Sequence, residues 1–272
     1  MKRKDFEQPA IEKETIDVLS SKLLYVTAEL VEANQKLERI QKERSEMLAN
    51  ISHDLRAPIT AIRSAVDYLI SGKNLSAEDY QFSLRLIDRR TATLESLIQD
   101  MYYLFCVEDT SRELSLQTVD AASFLEEYFY DALVDAKYGK HRLKFELAEN
   151  VSGQIRIDIQ KIVRVLDNLL TNAAKYSAEG TEITLKAECF AERKSIRISV
   201  ADNGVGIPEE SLQHVFERTY MVSSARTPGA VAGSGLGLSI VKAIVERHQG
   251  SVSCESVEGE GSVFSFELPL ED

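Results

Sequence analysis

The 272-residue chain lacks tryptophan and contains only five prolines and three cysteines. The cysteines (Cys106, Cys189 and Cys254) form no CxxC pair, which argues against a zinc site and fits a reducing compartment. With so few prolines, 44% hydrophobic and 28% charged residues exclude a disordered or fibrous chain. The composition predicts a soluble globular protein, with one large or two ordinary domains and long helices.

An excess of positive charge and a long apolar run are also absent. The formal net charge of −12 repels phosphate backbones, and no basic stripe is interleaved with aromatic residues, which argues against nucleic acid as a partner. No apolar run approaches the roughly 20 residues of a membrane-spanning helix, and no signal peptide pattern is present. We therefore expect a cytoplasmic chain with no membrane segment, which leaves open a membrane or sensor part upstream of Met1.

The first strong pattern is a heptad repeat near the start of the chain. Its apolar residues alternate spacings of three and four, which predicts a coiled-coil signalling helix over residues 1–45. The residues are Ile16, Leu19, Leu23, Val26, Leu30, Ala33, Leu37 and Ile40.

A second apolar stripe begins at Met47 and runs to Leu69, where turn residues 71–74 end it. Another helical stripe then runs from Tyr80 to Phe105. Two helices with one narrow stripe each cannot close a core alone, but two such hairpins form a four-helix bundle. Residues 46–107 are therefore predicted to be a dimerisation domain, and the protein a homodimer.

A polar run without periodicity marks a linker, placed at residues 108–118. Beyond it, residues 119–272 alternate short β-rich segments with helical patterns, which predicts a two-layer α/β sandwich. The predicted strands are 143–147, 155–157, 183–187, 196–200, 251–256 and 263–268, and the predicted helices are 122–136, 159–176 and 236–247. The stretch 220–234, rich in Ser, Ala and Gly, is predicted to be a mobile lid.

His53 is the histidine most indicative of chemistry, because it lies off the apolar stripe and is followed by Asp54. A neighbouring carboxylate can hold an exposed imidazole in one tautomer and leave the other nitrogen nucleophilic. Pro58 predicts a bend beside this nucleophile. The alternative is an ordinary solvated histidine.

A polar helix face is predicted at residues 168–175. Asn168, Asn172 and Lys175 step by four and three beside an apolar stripe, so they share one face. Two amides and an ammonium suit phosphates and Mg²⁺, which prefers oxygen ligands. An ordinary solvated face remains the alternative.

Two glycine-containing turns complete the pattern. Asp202 ends a predicted strand before Gly204 and Gly206, and could accept a hydrogen bond from an adenine amino group while the glycines let backbone approach the ring. The alternative is an ordinary Asp-Asn-Gly turn without a ligand. A glycine-rich turn at residues 233–237 precedes a helix, whose N-terminus offers amides to phosphates. Neither a dinucleotide fingerprint nor a P-loop is present.

In this order, the segments resemble the sequence boxes of the sensor histidine kinases, from about residue 47 to residue 268. The resemblance implies that His53 is phosphorylated with Asp54 beside it, that Asn172 holds Mg²⁺, that Lys175 and Arg218 reach phosphates, and that Asp202 reads the base of ATP. Thr219 and Met221 depart from the aromatic and basic residues usual around Arg218. The implied nucleotide-binding residues are Asn168, Asn172, Lys175, Tyr176, Asp202, Gly204, Gly206, Arg218, Gly233, Gly235, Leu236, Gly237 and Ser262.

The implied activity is autophosphorylation of His53 by Mg-ATP, followed by transfer to an Asp of a response regulator receiver domain. Phosphatase activity is expected to be weak, because Ala57 stands where the family often has Thr or Asn. One alternative is an ATP-hydrolysing relative, as in gyrase, chaperone and mismatch-repair ATPases. A catalytically inactive dimeric interaction module is another.

Overall fold

The computed structural model describes residues 8–72, 75–109, 112–149, 151–218, 220 and 235–271. Residue contacts divide the chain into two compact units, Met1–His53 and Asp54–Asp272. Helix α1 (Gln8–Ser71) crosses the boundary between them. No helix among the described residues has the length and apolar character needed to cross a membrane.

The helical region consists of α1 and α2 (Ala77–Glu108). Ser76 caps α2 through a reciprocal capping box with Asp79, in which each side chain accepts a backbone N–H of the other residue. Helix α1 continues through Pro58 and ends before Gly72, whose φ of +62° suits the residue that follows a helix. Both predicted helices are confirmed, whereas the bend at Pro58 stays a prediction.

The described residues after α2 form a seven-stranded sheet with helices. The sheet order is β1-β3-β7-β5-β4-β2, and β6 also pairs with β7. Among these described strand pairs, β2–β4 is parallel and the others are antiparallel. The strands are β1 (Gln117–Asp120), β2 (Arg142–Leu147), β3 (Gln154–Ile157), β4 (Glu182–Phe190), β5 (Ser195–Asp202), β6 (Ser251–Val257) and β7 (Gly261–Glu271). The helices are α3 (Ala121–Val134), α4 (Ile159–Tyr176), α5 (Glu209–Leu212) and α6 (Gly237–Arg247), with 3-10 turns at Ala136–Tyr138 and Ala191–Arg193.

Alternation along β5 separates the two faces of the sheet. Ile196, Ile198 and Val200 point to one face and are at most 1% exposed. Arg197, on the other face, donates two hydrogen bonds of 2.9 and 2.6 Å to Glu267 Oε1 across the β5–β7 pair. Because α4 packs against β4 and β5 while α6 packs against β6 and β7, the helices cover the apolar face. The predicted two-layer α/β fold after a helical region is confirmed.

Element by element, all six predicted strands are present, several of them longer at their ends. Helix α4 has the predicted bounds, and α3 begins one residue earlier and ends two residues earlier than predicted. Strand β1 and helix α5 were missed, because each spans four residues and neither carries a clear hydrophobic period. The predicted lid, residues 220–234, lies outside the described residues except for residue 220.

The last turns of α2 pack against α4 and α6. Leu104 and Val107 are fully buried there, and Arg247 of α6 donates to the Val107 carbonyl at 3.0 Å. Asp100 forms an ion pair with Arg164 of α4. The C-terminal half of the hairpin and the sheet region therefore belong to one compact unit.

A buried histidine joins α6 to the start of α4. His248 is 5% exposed, its Nδ1 lies 2.8 Å from the Ile244 carbonyl, and its Nε2 accepts the backbone N–H of Asp158 at 3.0 Å. A carbonyl only accepts and an N–H only donates, so the ring is neutral with its proton on Nδ1. Burial lowers the pKa of His248 below its usual 6.5.

This geometry predicts a loss of stability in mild acid. Below pH 6.5 the unfolded chain binds a proton at His248 and the folded chain does not, so the free energy of unfolding falls from pH 6.5 toward the lowered folded pKa. His248→Gln, which cannot titrate, should show a shallower decline in urea unfolding between pH 7.5 and 5.5. His214→Gln is the control, because the His214 side chain is 39% exposed. Equal slopes for His248→Gln and the parent chain would contradict the prediction.

Candidate functional site

The candidate site begins at the end of β5, where Asp202 is 7% exposed. Its Oδ1 accepts the backbone N–H of Gly204 at 2.8 Å and the hydroxyl of Ser177 at 3.4 Å, and the backbone of Ser262 also donates to the carboxylate. Burial raises the pKa of Asp202 above its usual value, against the opposing effect of these three donors. The strand therefore ends in a buried carboxylate that is held in one orientation.

The loop that follows β5 lies between the end of α4 and the β6–β7 hairpin. Val205 N donates to the Tyr176 carbonyl at 3.2 Å, and Gly259 N donates to the Val205 carbonyl at 2.8 Å. Gly206 has a φ of +67°, and a Cβ there would lie 2.0 Å from the Val257 carbonyl oxygen. Only glycine allows this approach, so the loop is clamped on both sides.

The polar face of α4 has the predicted composition. Asn168, Asn172 and Lys175 are partly exposed beside the buried apolar stripe, and Lys175 Nζ donates to the Tyr176 hydroxyl at 3.1 Å. Asn168 Nδ2 is buried and has no hydrogen-bond partner among the described residues. A buried amide donor without a partner is costly, which suits a residue that donates to a bound ligand.

The start of α6 lies close to this face. Leu236, 1% exposed, anchors the turn, Gly235 has a φ of +64°, and Gly237 begins the helix. A Cβ on Gly237 would lie 3.6 Å from Asn168 Oδ1, so the glycine turn and the α4 amide are neighbours. Gly233 lies outside the described residues.

Arg218 is exposed on the turn after α5. Two residues earlier, Phe216 packs edge-on against Phe264 of β7 at 6.2 Å between ring centroids, which anchors this segment to the sheet. The structure thus brings together Asp202, Ser262, the Gly204–Gly206 loop and the end of α4, and separately the glycine turn and Asn168.

Two residues in this region were missed from the sequence, Ser177 and Ser256. Ser177 donates to Asp202, and Ser256 accepts the backbone N–H of Ile207 at 2.9 Å. Ser256 lies directly opposite Ser262 in the β6–β7 pair. Counting back from the Gly259 turn could have placed Ser256 opposite Ser262.

His53 is exposed on α1, Asp54 is half-buried and Ala57 is exposed. Ala57 follows His53 by four residues, so the two lie on the same face of the helix. His53 ends the first compact unit, and the other predicted site residues belong to the second. Its exposure agrees with its position off the apolar stripe.

Two family models match this chain. The His Kinase A (phospho-acceptor) domain matches residues 43–109, and the Histidine kinase-, DNA gyrase B-, and HSP90-like ATPase matches residues 157–272. The first match contains His53, and the second contains the α4 amides, Asp202 and both glycine turns. The chain belongs to the sensor histidine kinases.

Curated relatives of this histidine kinase chain are similar along most of its length. Sensor histidine kinase WalK of Bacillus subtilis is 32% identical over 238 residues, which cover 86% of this chain and 38% of WalK. Sensor histidine kinase YclK of the same organism is 28% identical over 258 residues, covering 94% of this chain and 53% of YclK. The chain therefore spans 38% of the length of WalK and 53% of the length of YclK.

Solved structures of histidine kinases share the fold. Histidine kinase ThkA in complex with response regulator protein TrrA has a TM-score of 0.65 and 25% identity, with 87% of this chain and 66% of that chain covered. Full-length ShkA in complex with AMPPNP has a TM-score of 0.58 and 26% identity, with 83% and 46% covered. Acinetobacter baumannii AdeS, at 22% identity and a TM-score of 0.60 over 81% of this chain and 98% of AdeS, shows the fold alone.

The clamped loop generates a prediction about nucleotide binding. Gly206→Ala should weaken ATP binding at least tenfold, because its Cβ would collide with the Val257 carbonyl and displace the loop. Gly259→Ala is the matched control, since Gly259 also has a positive φ, +85°, but open space for a Cβ. We expect it to lose about 1 kcal/mol of stability and retain affinity. Calorimetric titration with ATP measures the affinity of each variant. Equal affinities of Gly206→Ala and Gly259→Ala would refute the clamp.

Proposed function

We propose that this chain uses Mg-ATP to phosphorylate His53 and then transfers the phosphoryl group to an Asp of a response regulator. The observation that carries the proposal is the presence of both halves of this chemistry in one chain. An exposed histidine lies in the phospho-acceptor match, and a buried carboxylate with a clamped loop lies in the ATPase match.

The base of ATP is assigned to the Asp202 region. The carboxylate is fixed by its donors and can accept from the adenine amino group, while Gly204 and Gly206 keep the loop close to the ring. Ser262 and Tyr176 border the same region. ShkA, which shares the fold, was solved in complex with the ATP analogue AMPPNP.

The phosphates are assigned to α4 and the glycine turn. The unpartnered Asn168 Nδ2, the Lys175 ammonium and the N-terminus of α6 supply donors and positive charge, and Arg218 is proposed to reach the same anion. The Asn172 amide oxygen is the ligand we assign to Mg²⁺, which would neutralise phosphate charge when bound.

His53 is the proposed nucleophile. A neutral imidazole attacks the γ-phosphorus through its unprotonated nitrogen, the bond to the ADP oxygen breaks, and Asp54 orients the ring through the other nitrogen. The contribution of the chain to this step is mostly positioning, since phosphoryl transfer needs little else beyond charge neutralisation.

A homodimer is proposed from the helical region. Heptad residues of α1 are exposed in the single chain, including Leu19 at 68% and Leu30 at 66%, and so are stripe residues of the hairpin such as Ile59 at 50% and Ile98 at 47%. Apolar stripes of this kind are stable when a second copy covers them. A response regulator is the proposed second partner, because the ThkA structure contains one. The cytoplasmic location stays a prediction.

Hydrolysis of ATP is the weaker alternative. An activating base is needed for attack by water, and Asn168 is an amide that cannot accept a proton at neutral pH. An inactive interaction module is also disfavoured, because His53, Asp54, Asn172 and Asp202 are all present.

When the chain is incubated with ATP labelled in its γ-phosphate, the label should appear on His53 as an acid-labile, alkali-stable phosphoramidate. His53→Gln should abolish the label while ATP affinity persists, since the nucleotide residues are untouched. His214→Gln is the matched control, because His214 also has an acidic neighbour, with Nδ1 2.9 Å from Glu217 Oε1, and should leave labelling intact. Label that survives on His53→Gln would overturn the assignment.

Phosphatase activity toward the phosphorylated regulator should be weak. Ala57, one helical turn after His53, presents a methyl group that cannot orient an attacking water. The measurement is the decay rate of purified phosphorylated regulator in the presence of ADP and Mg²⁺. The His53→Gln chain should accelerate this decay little, and a chain that carries both His53→Gln and Ala57→Thr should accelerate it more. Strong acceleration by His53→Gln alone would show that Asp54, Arg56 or another group orients the water.

A further inference from the structure

Three polar residues form one row across the edge of the candidate base site. Asp202 of β5 pairs directly with Ser262 of β7, and Ser262 pairs directly with Ser256 of β6. Directly paired residues of antiparallel strands project from the same face of a sheet. The row therefore runs from a buried carboxylate through a buried hydroxyl to a half-buried hydroxyl.

The hydrogen bonds of Ser256 fix the direction of the hydroxyl groups in this row. Ser256 Oγ lies 2.6 Å from the Gly261 carbonyl oxygen, which can only accept, so Ser256 donates its single proton there. Ser256 Oγ accepts the backbone N–H of Ile207 at 2.9 Å. It also lies 3.0 Å from Ser262 Oγ, and with its own proton committed it can only accept in this contact.

Ser262 must therefore donate its proton toward Ser256. What Ser262 Oγ then offers to any other neighbour is a lone pair. Asp202, when ionised, also offers only lone pairs, and it already accepts from the backbone N–H groups of Gly204 and Ser262 and from the Ser177 hydroxyl. The side chains of Asp202 and Ser262 thus present acceptors and no donor to a ligand.

We propose that Ser256 is a positioning residue that makes this site select purines with a 6-amino group over those with a 6-carbonyl group. The inference rests on the proposed function and deepens it. In the proposed arrangement, position 6 of the purine, and not N1, faces Ser262 and Asp202. There an acceptor-only row favours an amino group, which donates, and disfavours a carbonyl, whose lone pairs would face those of Ser262 and Asp202 without a proton between them. The N1–H of a 6-carbonyl purine points away from the row in this arrangement and does not offset the loss. Ser256 acts through Ser262 and through the loop that it ties at Ile207.

Binding of ATP and of inosine triphosphate compares a 6-amino purine with a 6-carbonyl purine, because the two nucleotides differ only in that group and in the associated N1 proton. Dissociation constants of both, measured with Mg²⁺ on the full chain, give a selectivity ratio for each variant. We expect Ser256→Ala to lower the ratio roughly fivefold to tenfold, because the released Ser262 hydroxyl can turn and donate to the carbonyl. Ser256→Thr keeps the hydroxyl and should restore the ratio.

Ser199→Ala is the matched control. Ser199 and Ser265 form another serine pair in the sheet, with 2.9 Å between their oxygens, on the opposite face of β5 from Asp202. Its loss should disturb the sheet to a similar degree and leave the selectivity ratio unchanged.

An unchanged ratio in Ser256→Ala, or equal weakening of both nucleotides, would overturn the proposal and reduce Ser256 to a structural support. Failure of the parent chain to bind ATP at all would instead refute the proposed function. The two failures are therefore distinguishable in one set of titrations.

Discussion

Helix α4 buries one apolar face on the sheet, and the rest of the candidate site depends on that packing. Each buried Val, Leu or Ile side chain contributes about 1.5–3 kcal/mol, so the helix has one strongly preferred rotation about its axis. The buried residues, all at most 1% exposed, are Ile162, Val165, Leu166, Leu169, Leu170 and Ala173. With that face fixed, the helical period leaves Asn168, Asn172 and Lys175 on the partly exposed side.

Both ends of α4 are also fastened. At its start, the Asp158 backbone donates to His248, and the Asp158 carboxylate accepts the backbone N–H of Ser115 from the linker at 3.2 Å. At its end, the Tyr176 carbonyl and the Ser177 hydroxyl hold the loop after β5 and Asp202. Helix α4 thus contacts both the segment after α2 and the proposed base site.

The hairpin and the sheet region differ in how much of their apolar surface is buried within the single chain. The sheet region closes its own core, with Ile155, Leu185 and Phe266 fully buried. Among the described residues of the hairpin, the last turns of α2 are covered by α6 through Leu104 and Val107, whereas apolar stripe residues such as Ile59 and Ile98 stay exposed in the single chain. These exposed stripes are the surface that the proposed second copy would cover.

The sequence by itself determined the features that depend on local periodicity and local chemistry. The bounds of α4, the exposure of His53, the amide face of α4 and the glycine loop after β5 all follow from residue spacing within one element. Placement of domain boundaries and of the bend at Pro58 remains a prediction.

Only the tertiary structure decided which distant residues meet. The donation by Ser177 to Asp202, the Asp100–Arg164 ion pair and the contact of Ser256 with Ile207 join residues 25 to 64 positions apart. Strand register and helix packing set such contacts, and the residues between them carry no periodic signal that specifies either.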